Sequence, residues 1–112
     1  MATFCIQIQP DRDLGLDVEK VKAICKELST EERSILRHGT VAGNDEGPYL
    51  NLMFETDMPT EFWAAFKKHL YESSEVGRGM MTASMATCTG ENGWDDYLLL
   101  YHYDKNFELD VL

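Results

Sequence analysis

One arrangement occurs twice along this chain, and it narrows the fold more than any single motif does: an alternating strand, then a capped amphipathic helix, then a return strand. From Thr3 to Gln9, Phe4, Ile6 and Ile8 alternate with Cys5, Gln7 and Gln9, the period of a strand with one buried face. Pro10 ends it. Asp17 is a predicted N-cap, after which Val18, Val21, Ile24, Cys25 and Leu28 recur at helical spacing opposite Glu19, Lys20, Lys22, Lys26 and Glu27. Ser29 with Glu32 has the form of a capping box and predicts a second short helix through Ile35 and Leu36, closed by His38 and Gly39. Thr40 to Ala42 is the predicted return strand.

The second half begins after the turn cluster Gly43 to Pro48. Leu50, Leu52 and Phe54 alternate with Tyr49, Asn51 and Met53, which predicts a strand over Tyr49 to Glu55. Pro59 suits a first helical turn, and Phe62, Trp63, Phe66 and Leu70 form an apolar stripe running to about Glu72. Gly77-Arg78-Gly79 is expected to break that helix. Met80 to Cys88 then leads through Thr89 to Gly93 into Trp94 to Tyr103, a long hairpin. Right-handed crossovers in both halves put both helices on one face of an antiparallel sheet. The expectation is therefore an α+β, ferredoxin-like two-layer sandwich with two main helices on one face and an extra C-terminal hairpin strand. At 112 residues one domain, 1–112, is expected.

If the helices cover Phe4, Ile6, Ile8, Leu50, Leu52 and Phe54, then Cys5, Gln7, Tyr49, Asn51 and Met53 point out of the opposite face. The last strand is apolar on both sides: Tyr97, Leu99, Tyr101 and Tyr103 alternate with Leu98, Leu100, His102 and Asp104. Either exposed tyrosines serve partner binding or dimerisation, or a loop or the segment Phe107 to Leu112 covers them. Phe107, Leu109 and Val111 alternate with Glu108 and Asp110, as an edge strand would.

Most chemistries lack their residues. Cys5, Cys25 and Cys88 are odd in number and far apart, without CxxC or zinc-type spacing, so reduced, buried thiols are expected. No signal-like basic-then-apolar run opens the chain, and the expected location is cytoplasmic. The segment Asp104 to Asp110 has alternate oxygen ligands, but Leu109 stands where a calcium loop needs Gly and no bidentate Glu follows. Gly39, Gly43 and Gly47 are followed by no Gly-Lys-Ser/Thr, which removes a P-loop. His38, His69 and His102 lie on separate elements, so no metal site and no cofactor are expected. His102 is the alternative catalytic candidate, because Tyr101, Tyr103 and Asp104 flank it and a carboxylate beside an imidazole can orient it for acid–base work.

Charge carries the functional reading. Residues 1–38 hold seven acids and six bases, residues 39–78 seven and three, residues 79–112 six and one, for a net charge of −10. Such a field repels nucleic acid and anionic membranes and favours a basic protein surface. The sequence thus suggests a small acidic binding or inhibitor protein, of the immunity, antitoxin or phage anti-defence kind. Its expected partner-binding acids are Asp45, Glu46, Glu55 and Asp57, with Glu91, Asp95 and Asp96 as a second patch and Tyr97, Tyr101 or Tyr103 as anchors. The alternative is a small dimeric enzyme with a His102/Tyr acid–base site on the sheet face, and a homodimer is compatible with either.

Overall fold

The structure, a computed structural model, describes all residues from Met1 to Leu112. Alternation does produce strands: β1 (Ala2–Ile8), β2 (Arg37–Asn44), β3 (Pro48–Thr56), β4 (Ser84–Gly90) and β5 (Gly93–His102) form one sheet in the order β2-β3-β1-β4-β5. Every pairing is antiparallel, with Phe4 opposite Phe54 on β3 and opposite Cys88 on β4. The molecule is mixed α+β, with three α-helices, α1 (Val18–Glu31), α2 (Pro59–Phe66) and α3 (Gly77–Ala83). No helix is long and apolar enough to cross a membrane.

The expected caps and stripes explain α1 and α2. The Asp17 carboxylate accepts from the Lys20 N–H at 3.0 Å, and Val21, Cys25 and Leu28 are buried one turn apart. Pro59 opens α2, whose Phe62, Trp63 and Phe66 are buried. Their rings meet the sheet directly: Phe62 lies 4.6 Å from Phe4 and 5.0 Å from Phe54 between centroids. One core joins these residues to Ile6, Ile8, Leu50, Leu52, Met80 and Ala86. Deleting a ring from such a cluster costs both transfer energy and a cavity.

Three expectations fail, each because tertiary contacts outweigh a local signal. The second helix predicted from Ser29 does not form. Ser29 stays inside α1 with its hydroxyl donating to the Cys25 carbonyl at 2.7 Å, Glu32 accepts from the Ser34 N–H at 3.2 Å, and His38 and Gly39 belong to β2. Pairing of β2 along β3 satisfies more backbone groups than one further helical turn would. Second, Gly77 and Gly79 do not break a helix but sit within α3. A Cβ at Gly77 would lie 2.5 Å from the Tyr71 carbonyl oxygen, and one at Gly79 2.6 Å from Leu16, so close packing is what requires glycine there. The helix does end at the expected place, near Glu72, but through a π-helical turn, Lys67–Tyr71, closed by the Glu72 N–H on the Lys67 carbonyl at 2.9 Å. Third, Phe107 to Leu112 is not a strand. Asp110 alone clasps β5, donating its N–H to the Leu99 carbonyl and accepting the Leu99 N–H on its carboxylate, both at 2.7 Å.

Candidate functional site

The face of the sheet away from the helices holds a polar cleft of about 580 Å³. It lies where β1 ends and β3 begins, between the 3₁₀ turn Pro10–Arg12 and the β2–β3 turn. Because side chains alternate, the residues opposite the buried Ile6, Ile8, Leu50 and Leu52 supply its floor: Gln7 and Asn51, which are paired across β1 and β3, together with Gln9 and Tyr49. Tyr103, just beyond β5, forms one wall. Asp11, Asp45 and Glu46 form the rim.

The polar groups on one side of the floor are already committed to each other. Gln9 Nε2 donates to Gln7 Oε1 at 2.9 Å, Arg12 Nε donates to Gln9 Oε1 at 2.5 Å, and the Arg12 guanidinium sits 3.7 Å above the Tyr103 ring centre. This places the cleft's one cation over an aromatic face. Across the floor, Asn51 Oδ1 is buried without a hydrogen-bond partner. On the rim, Glu46 has φ of 56°, and no other non-glycine residue has a positive φ. Backbone strain of this kind gathers at functional sites. The cleft therefore carries three rim carboxylates against one cation, and the Asn51 carbonyl beneath them is closed off from solvent and unpartnered.

The acids read from the sequence divide between the two ends of the sheet. Asp45, Glu46 and Tyr103 come together at the cleft. Glu55 and Asp57 lie at the far end of β3, Glu55 roughly 20 Å from Tyr49 by strand rise, where Glu55 pairs with Arg37 at 3.0 Å and Asp57 lies 3.7 Å from the N-terminal ammonium. Glu91, Asp95 and Asp96 are exposed around the β4–β5 hairpin, at that same far end, since Thr3 donates its N–H to Thr89 Oγ1. Tyr97 is 56% exposed beside them. Tyr101 faces the helices: its ring lies 4.7 Å from Tyr71, and its hydroxyl donates to the Met81 carbonyl at 2.5 Å while accepting from Lys105 Nζ.

His102 is buried at the end of β5, its ring 4.1 Å from Phe107 and 4.4 Å from Tyr103. Its Nδ1 accepts the Asp104 backbone N–H at 3.0 Å, and the Asp104 carboxylate turns away to accept from the Asn106 N–H. The imidazole is thus held by backbone and aromatic rings instead of a carboxylate. The thiols are not activated either: burial pushes Cys25 up to about 12, burial and then the Asp110 charge push Cys88 up to about 11, and burial raises Cys5. No cluster of three or more His, Cys, Asp or Glu is placed to hold a metal ion.

Sequence reasoning missed Gln9, Asp11, Arg12 and Asn51 as residues of the cleft. The signal for Asn51 was present in its outward place on β3, but its burial depends on which side chains cross the sheet. No protein-family model, no curated protein and no solved structure matches this chain.

Proposed function

We propose that this is a small, cytoplasmic, non-enzymatic binding protein of inhibitor type, which masks a basic surface of a partner protein by receiving a Lys or Arg side chain in the polar cleft. The observation that carries the reading is the convergence of Asp11, Asp45 and Glu46 on the rim of one polar cleft. A guanidinium or ammonium group supplies donors and positive charge to a rim whose three carboxylates outnumber the single cation Arg12. Tyr49 provides an aromatic wall for the aliphatic stem. Glu91, Asp95, Asp96 and Tyr97 at the other end form a separate acidic area that speeds encounter with a basic partner. Glu55 and Asp57 contribute less, since each already has a cationic neighbour.

The strand order and the repeated strand–helix–strand connectivity support reading the fold as ferredoxin-like with an added β5. Three free thiols support a reducing compartment. The test is an NMR titration with an arginine-containing peptide and its citrulline counterpart, which keeps shape but loses charge. The arginine peptide is expected to shift Tyr49, Asn51 and Glu46 amides, and Glu46→Lys is expected to weaken it more than tenfold. Equal binding of the two peptides, or shifts elsewhere on the sheet, would sink the reading.

A further inference from the structure

The two edges of the sheet are finished differently. On β5, register shifts between Ala86 and Thr87 and between Cys88 and Gly90 distort the edge strand, and the Asp110 clasp takes both backbone groups of Leu99. Bulges and a covering segment are the devices by which proteins blunt an edge. β2 has neither. It pairs with β3 in unbroken register from Arg37 to Asn44, all but Gly43 of its residues are exposed, and from Gly39 to Asn44 it contains no charge and no proline. About half of its N–H and C=O groups point away from β3.

We propose that this edge is an interface for a second copy of the chain, pairing β2 with β2 antiparallel about a twofold axis. The strand is oppositely charged at its two ends: Arg37, exposed and paired with Glu55 within the chain, stands at its start, and Asp45 and Glu46 follow its end. An isologous antiparallel pair must set a residue opposite its own copy, because only then do opposed side chains share a face. With Val41 opposite Val41, Thr40 falls opposite Ala42, Gly39 opposite Gly43, His38 opposite Asn44 and Arg37 opposite Asp45. The two charge pairs are thereby formed symmetrically. No like charges are opposed. The Tyr49 ring, which occupies the space a Cβ on Gly43 would need, meets only Gly39 of the second copy. The result is one ten-stranded sheet with all helices on one side, and the two polar clefts open on the other.

The register makes the test specific. By sedimentation equilibrium, the wild-type protein is expected to dimerise with rising concentration. Arg37→Glu and Asp45→Lys should each be monomeric alone, because each sets like charges against each other twice. Their equimolar mixture should dimerise, because it restores both opposite-charge pairs. Val41→Lys, which sets two ammonium groups opposite each other on the twofold axis, should weaken the dimer more than tenfold. A wild type that stays monomeric, a dimer indifferent to Val41→Lys, or a mixture no more associated than its components would overturn the proposal.

Discussion

The two faces of β3 have opposite roles although they share one backbone. Leu50, Leu52 and Phe54 are at most 6% exposed and belong to the core, where the Phe54 ring meets Phe62 and Phe66. Tyr49, Asn51 and Met53, one residue out of step, lie half-buried on the side with no helix. One face gathers area, rings and van der Waals contact. The other gathers dipoles, charge and an unmet acceptor. On the proposed reading, stability and recognition are separated by the two-residue period of the strand, and groups on the open face can stay incompletely satisfied because the helix face holds the fold.

Substitutions on the two faces can break that contrast. The largest effect is expected from Phe66→Ala, which removes a ring packed on Phe54, Phe62, Trp63 and Tyr71 and should cost about 3–5 kcal/mol in urea unfolding. A loss below 1 kcal/mol would mean the helix face is not where stability lies. Gly77→Ala should follow at about 1–3 kcal/mol, because the new methyl meets the rigid Tyr71 carbonyl. Ser84→Ala should cost about 1–3 kcal/mol. Ser84 donates to the Met80 carbonyl and accepts from the Tyr71 hydroxyl, each at 2.6 Å in a buried setting, so its loss strands both partners.

A smaller, pH-dependent effect also belongs to the helix face. Cys88 and Cys25 ionise near 9 when unfolded, but burial raises them to about 11 and about 12 in the folded protein, and burial raises the Tyr71 hydroxyl as well. Above pH 9 the unfolded chain releases protons that the folded chain keeps. This contribution to stability is therefore complete below pH 9 and is lost as pH climbs toward 11 and 12. Unfolding midpoints should be level from pH 7 to 9, then fall, and Cys25→Ala combined with Cys88→Ala should flatten the decline. The smallest expected change lies on the open face. Asn51→Val removes an unsatisfied acceptor and suits a strand, so stability should rise by about 0.5 kcal/mol while affinity for the arginine peptide falls. A loss of stability instead would show that Asn51 serves the fold.

Much of this architecture was legible because its signals are local. Alternation over Phe4 to Ile8 and Leu50 to Phe54, the Asp17 cap, Pro59 at the start of α2 and the glycine at the β4–β5 hairpin, where Gly93 has φ of 69°, each act within a few residues. The failures occurred where a partner from elsewhere in the chain competes. Glu32 to Leu36 resembles a helix start until β3 offers a ladder, and Gly77 and Gly79 resemble breakers until Tyr71 and Leu16 press against them.

The candidate site divides along the same line. Which residues of β1 and β3 leave the core follows from the pleat, whose period belongs to the amino-acid order, and the acidic excess after residue 38 is likewise a property of composition. That Arg12 lies on Tyr103, that Asn51 is buried without a partner, and that the acids separate into two ends depends on how strands distant in the chain are laid side by side. Pairing across the sheet, a long-range choice made by the whole core, turns outward-facing amides and carboxylates into a cleft.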